Sequence, residues 1–155
     1  MKYIFVDIDG TISNPSKRLH LIEGEKKEFD RFHEESINDE PIQWVLDFVR
    51  RLNDKGYKIV FVSGRSKKFL DISYKWLDKY YGEDYNYRIE LRPDDDYRPN
   101  SELKRGWVKD IGRDNLLLAI DDNPDVIKMY EEEGIPALLV PGGIGNEYEK
   151  INSSK

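Results

Sequence analysis

The chain contains no cysteine among its 155 residues, which excludes disulfides, zinc–thiolate centres and a thiol nucleophile. Histidine is scarce: His20 and His33 are the only two, too few and too far apart to make a metal site by themselves. Positive charge is not in excess. The net charge of −6 gives no global attraction to nucleic acid or to an anionic membrane, although it leaves room for a local basic site that takes one phosphate. No apolar run approaches the about 18 residues that a membrane span needs. The N-terminal segment carries aspartates rather than a basic leader with an apolar core, so no signal peptide is expected and the expected location is cytoplasmic.

What is present reads as one globular domain. Hydrophobic residues make up 38% of the chain, and a chain of this length can bury about 70% of its unfolded surface. Strand-like and helix-like runs alternate. Strands are expected at residues 2–7, 57–62, 87–91, 116–120 and 137–140. Helices are expected at 41–54, 66–81, 101–111 and 124–133, with Pro124 in the first turn of the last. That alternation implies an α/β fold, a three-layer, Rossmann-like, doubly wound parallel sheet. The domain is expected to fill residues 1–145, with a frayed tail at 146–155. Residues 12–40 form an insert after the first strand. Within it, residues 25–37 could make a short, highly charged helix, either a solvated insert or a small flap over the strand ends. There is no room for a large cap. Trp44, Trp76 and Trp107 are expected in the core.

The first strand runs into Asp7-Ile8-Asp9-Gly10-Thr11. Strand side chains alternate, so Asp7 and Asp9 are expected to project in roughly the same direction. Gly10 permits a sharp turn, and Thr11 adds a hydroxyl. Like charges this close call for a cation or a retained proton, which points to a hard metal ion, an acid/base pair, or both. Other strands also end in useful groups: Ser63-Gly64-Arg65 after the second, and Asp121-Asp122 after the apolar Leu116–Ile120 run, with Lys104 on the helix before it. Parallel strands bring these to one sheet edge, where ligands of such folds bind. Carboxylates for a divalent cation, a lysine and hydroxyls for phosphoryl oxygens, and a nucleophile together suit phosphoryl transfer.

These four motifs, Asp7-Ile8-Asp9-Gly10-Thr11, Ser63, Lys104 and Asp121-Asp122-Asn123-Pro124-Asp125, resemble those of the haloacid dehalogenase (HAD) superfamily of phosphohydrolases. The likeness runs from Asp7 to about Val140. It implies that Asp7 is the nucleophile that forms an aspartyl-phosphate. Asp9 is implied as the general acid that then activates water. Thr11 and Ser63 are implied on the phosphoryl oxygens, and Lys104 as the group neutralising Asp7. Mg²⁺ is the implied cofactor, held by Asp7, the Asp9 backbone carbonyl and Asp121, with Asp122 holding or orienting its water. Asp125 is implied as support for that shell, or else as an ordinary acidic residue of a helix's first turn.

A closer resemblance is to the 3′-phosphatase domain of phage-type polynucleotide kinase-phosphatases. It rests on Val62-Ser63-Gly64-Arg65, Tyr74, Trp76, Arg92, Asp96, Arg98, Lys104, Ala119-Ile120-Asp121-Asp122, Val126 and Met129. It implies arginines around the phosphate: Arg65 and Arg92 first, then Arg18 and Arg98, with Gly64 beside them. No Gly-x-x-x-x-Gly-Lys-Ser/Thr loop of a kinase is present in this sequence. The implied partner is a phosphate-ester substrate, either a nucleic-acid 3′-end or a free nucleotide; neither a membrane nor an obligatory protein partner is implied. Tyr85, Tyr87 and Tyr97 are candidates for base stacking. A competing expectation is a receiver-type signalling module, but there the acceptor aspartate ends a mid-domain strand, where this chain has Ser63.

Overall fold

The computed structural model describes residues 2–141. Its centre is a five-stranded parallel sheet. In chain order the strands are β1 (Tyr3–Asp7), β4 (Lys58–Ser66), β5 (Tyr87–Arg92), β6 (Leu116–Asp121) and β7 (Ala137–Leu139). A two-stranded ladder, β2 (Ser13–Asn14) and β3 (Glu40–Pro41), lies between the first two in sequence. The order across the large sheet is β5-β4-β1-β6-β7.

β1 is central because it can be buried on both faces. Ile4 and Val6 point to one layer, packing with Val45, Leu46 and Val49 of α2 (Gln43–Asp54) and Trp76 of α3 (Leu70–Leu77). Phe5 points to the other layer, with Val108 of α4 (Asn100–Ile111) and Val126, Met129 and Tyr130 of α5 (Pro124–Glu132). Apolar side chains at every position of a strand are the mark of a sheet covered on both sides. Three layers follow. After β5 the chain crosses over to the far side of β1, so the order reverses between β1 and β6. That crevice, at the C-terminal strand ends, is where ligands bind in this architecture.

Several boundaries differ from expectation for visible reasons. The helix expected from residue 41 starts at Gln43 because Pro41 pairs with Ser13. The helix expected over 66–81 divides into a 3-10 turn (Lys67–Phe69), α3 and a π-helical turn at Asp78–Gly82. Arg50 donates to the carbonyls of Tyr80 and Tyr81, covering backbone acceptors that a helix end leaves open. Trp44 is a correction: it is 56% exposed, one residue off the face through which α2 buries Val45, Leu46 and Val49. The tail expected at 146–155 lies outside the described residues.

The insert is not simply solvated. Its helix, α1 (Phe29–Glu34), is shorter than expected and continues as a 3-10 turn over Glu35–Asn38. A second 3-10 stretch spans Ser16–Ile22. Leu19, Leu21, Ile22 and Phe32 form a small apolar core of their own. The β2–β3 ladder ties the insert's two ends together, next to the end of β1.

Candidate active site

β1 delivers Asp7 to the crevice, and the chain then turns on itself. The amides of Thr11, Ile12 and Ser13 all donate to the carbonyl of Ile8. Gly10 takes φ 86, a left-handed backbone that costs glycine little. This turn brings the Thr11 hydroxyl to 2.8 Å from Asp7 Oδ2 and 3.2 Å from Asp122 Oδ1. Its single hydrogen serves the nearer acceptor, Asp7.

From α4, Lys104 Nζ donates to Asp7 Oδ1 at 2.8 Å and to Asp121 Oδ2 at 2.7 Å. Burial alone would lower this amine's pKa, but the charges of Asp121 and Asp7 hold it well above the usual lysine value, so it stays cationic. At the end of β6, Asp121 Oδ1 accepts from the amide of Asn123 at 3.0 Å. The Asn123 side chain in turn caps α5 by accepting from the Asp125 amide.

Asp7, Asp121 and Asp122 each offer a carboxylate oxygen, all lying within 4.8 Å of one another. Ionised together, three buried carboxylates carry two more negative charges than Lys104 offsets. The strain shows in the acid strengths. Burial, then the Asp7 charge, pushes Asp121 up to about 6; burial, then Asp7 and Asp121, pushes Asp122 up to about 10. Asp122 Oδ2 is buried with no hydrogen-bond partner. A divalent cation would relieve both problems, and an all-oxygen set with an orphaned carboxylate oxygen fits Mg²⁺.

Asp9 keeps different company. Its Oδ1 accepts from Arg65 Nη2 at 2.7 Å and from Arg18 Nη2. Burial would raise this carboxyl, yet the Arg65 and Arg18 charges outweigh it and hold Asp9 well below the usual carboxylate range. Each arginine is anchored behind. Arg18 forks onto Asp39 at 2.9 and 2.8 Å, donates to the Phe32 carbonyl at 3.1 Å, and lies over the Phe32 ring. Arg65 Nη1 donates to Ser73 Oγ at 2.7 Å, and Ser73 donates to the Phe69 carbonyl.

The second strand end is held by contact. Ser63 Oγ is buried and accepts from the Arg65 amide at 3.1 Å. A Cβ on Gly64 would stand 2.1 Å from Asn100 Oδ1, so only glycine fits against the start of α4. Gly64→Ala is therefore expected to displace Asn100, one helical turn before Lys104, and to lower kcat by about 10²-fold, as ångström-scale misplacement does. Steady-state kinetics beside a denaturant melt check this; unchanged kcat would refute the packing argument.

Residues 1–143 match the family of the polynucleotide kinase PNKP phosphatase domain. The chain belongs to this family. Its members share the HAD phosphatase fold, and this PNKP-type domain is a phosphoric monoester hydrolase. A protein of Autographa californica nuclear polyhedrosis virus, assigned as a bifunctional polynucleotide kinase/RNA ligase, is 29% identical over 141 residues. That match covers 88% of this chain but 19% of the viral protein, so the chain spans about a fifth of this relative. A chain of the Pnkp1/Rnl/Hen1 complex superposes with TM-score 0.71 at 24% identity, over 90% of this chain and 45% of that one. A predicted phosphatase from Clostridium acetobutylicum gives TM-score 0.68 at 13% identity, covering 98% and 90%. These structures share the fold.

Within the PNKP-type domain, the structure gathers Asp7, Thr11, Lys104, Asp121 and Asp122 into one cluster, with Ser63 on the neighbouring strand β4, directly after the Val62 that pairs with Asp7. The expected common direction of Asp7 and Asp9 is not what organises the site. β1 ends at Asp7, and the two carboxylates have separate partners. The expected phosphate arginines also read differently. Arg18 and Arg65 are tied to Asp9. Arg92 donates to the carbonyls of Gly64, Asp96 and Arg98 and to Asn100 Oδ1. Arg98 pairs with Asp96 at 2.7 Å. Asp125 is exposed, and the contact it makes at the cap is through its amide, as suits an acidic residue in a helix's first turn. Three contributors escaped the sequence reading: Asp39, Ser73 and Asn100. Ser73 alone left a trace, a polar residue on an apolar helix face.

Proposed function

We propose that this domain removes 3′-phosphate groups from polynucleotide ends through a covalent aspartyl-phosphate on Asp7. The observation that carries the reading is the position of Asp7. One carboxylate oxygen is neutralised by Lys104, the other is aligned by Thr11, and Asp9 stands two residues on in an arginine clamp. Family membership supports the substrate class, since the matching family is named for the phosphatase domain of polynucleotide kinase.

In the first step an Asp7 oxygen attacks phosphorus, the phosphorus–O3′ bond breaks, and the leaving alkoxide takes a proton from Asp9. In the second, Asp9 takes a proton from water, whose oxygen attacks phosphorus; inorganic phosphate leaves and Asp7 is restored. The free domain holds Asp9 ionised, ready for the second step. For the first, a phosphate dianion arriving beside Asp9 adds negative charge and competes for Arg18 and Arg65. Both effects raise the Asp9 carboxyl toward protonation. Ser63, Thr11 and Lys104 hold the phosphoryl oxygens. Asp7, Asp121 and Asp122 would hold Mg²⁺, which supplies charge neutralisation of the phosphoryl group. Among the described residues no helix is long and apolar enough to cross a membrane, and the reading places the enzyme in the cytoplasm.

A panel of 3′-phosphorylated oligonucleotides, free nucleotides and sugar phosphates tests the substrate. Release from oligonucleotide 3′-ends is expected to dominate. One feature favours free nucleotides instead: the insert, with its own core, reaches Asp9 through Arg18. Activity on free nucleotides with none on oligonucleotides would establish that second reading. Metal dependence has its own test. Chelation with EDTA is expected to cut phosphate release by about 10²-fold or more, with restoration by Mg²⁺. Because the ion would relieve repulsion among buried carboxylates, Mg²⁺ at about 100 times its Kd is also expected to stabilise the fold by about 2.7 kcal/mol. Equal turnover and melting with and without Mg²⁺ would exclude the metal site.

A further inference from the structure

Tyr97 is 88% exposed, the most open of the large hydrophobic side chains among the described residues. It sits in the loop after β5, at the same sheet edge as the ends of β1, β4 and β6, because all four strands are parallel. The loop is braced rather than loose. Arg92 Nη1 donates to the carbonyls on both sides of Tyr97, those of Asp96 at 3.0 Å and Arg98 at 2.6 Å. The Asp96 carboxylate accepts from the amide of Arg98 at 3.1 Å and from its guanidinium at 2.7 Å. Arg98 packs closely over Gly106 of α4, where a Cβ would stand 3.0 Å from Nη1. Asp95 takes φ 61 to complete the turn.

The brace is shared with the catalytic edge. Arg92 Nε donates to the carbonyl of Gly64, next to Ser63, and Nη2 to Asn100, one helical turn before Lys104. One guanidinium thus fixes the phosphate-binding strand end, the start of the lysine helix and both flanks of an exposed aromatic ring. The other tyrosines considered for stacking are committed. Tyr87 donates to Asp78 and packs edge-on to Phe61 and Tyr81, while Tyr85 lies against Tyr81. A ring left in water on a braced backbone gains nothing for the fold, but the fixed position of its backbone lowers the ordering cost of meeting a ligand's flat face.

We infer that Tyr97 is a stacking platform for the nucleobase that carries the scissile 3′-phosphate. This deepens the proposed function and rests on it. Stacking has little preference among bases, so Tyr97 selects a nucleotide end over a sugar phosphate without reading sequence. Arg92 is here a positioning residue, not a phosphate ligand.

The test compares wild type, Tyr97→Ala and Tyr97→Phe on three substrates. They are a 3′-phosphorylated oligonucleotide, the same oligonucleotide with an abasic terminal residue, and glycerol phosphate. Tyr97→Ala is expected to raise KM for the full oligonucleotide by about tenfold, in the range set by base–aromatic stacking, and Tyr97→Phe to restore it. On the abasic end, wild type and Tyr97→Ala should be equally weak, and on glycerol phosphate equally active. An unchanged KM in Tyr97→Ala, with wild type active on oligonucleotide, overturns the platform and leaves the phosphatase reading standing. So does an equal loss on glycerol phosphate. Wild type active on glycerol phosphate but inert toward the oligonucleotide overturns both.

Discussion

Asp7→Asn is expected to lower phosphate release by about 10⁴-fold or more, the loss seen when a covalent nucleophile is removed. The amide is nearly isosteric, so Thr11 and Lys104 keep their places, but it has no anionic oxygen to attack phosphorus. The same exchange should not weaken the apo fold much. Asp7 is one of three clustered carboxylates, and its charge is among the causes that push Asp121 and Asp122 upward. Removing it leaves Lys104 paired to Asp121 and relieves that repulsion. A melting temperature near wild type, with activity gone, separates chemistry from folding. Acid quenching during turnover should trap phosphate on wild-type protein and none on the variant. Full turnover by Asp7→Asn would falsify the covalent route.

The elements that position this site were legible because they follow local rules. Runs such as Ile59-Val60-Phe61-Val62 are apolar at every position, which only a doubly covered strand tolerates. Once the sheet is parallel, Asp7, Ser63 and Asp121 must share an edge. Lys104 gained weight only beside the groups at the strand ends, since a single lysine on a helix carries no local signal. The arginines were harder. Arg18 meets Asp39, 21 residues away, and Arg65 meets Asp9, 56 residues away. Such pairs have no period and no spacing rule, so an arginine near a phosphate site and an arginine tied to an aspartate look alike in sequence. Trp44 failed for a related reason. A wide apolar stripe on α2 is legible, but its edge is set by how the neighbouring layer packs. The insert's small core was hidden by the charged residues around Phe29 and Phe32.

Arg18→Ala is expected to destabilise the fold by about 3–5 kcal/mol, the cost of stranding buried charges. Arg18 is nearly inaccessible and serves both Asp9 and Asp39, each of them buried; without it Asp39 loses its two-pronged partner and Asp9 keeps Arg65 alone. The pH dependence identifies the cause. Asp9 is depressed in the folded state, so its contribution is present above its unfolded pKa of about 3.9. It fades as pH falls through the folded value. Without Arg18 the folded Asp9 value rises toward the unfolded one, so the gap between variant and wild type should be widest near neutrality and narrow in acid. Urea midpoints across that range measure it. Activity offers a second readout, because the water-activating step needs Asp9 ionised: the acid limb of kcat should move up by about one pH unit for each 1.36 kcal/mol of lost interaction. Arg18→Lys should recover part of the stability through its charge but not the two-pronged grip on Asp39, because a lysine has no fork. A variant that melts like wild type at every pH, or whose acid limb stays in place, would show that Arg18 does not hold Asp9, and the acid/base role given to Asp9 would then rest on Arg65 alone.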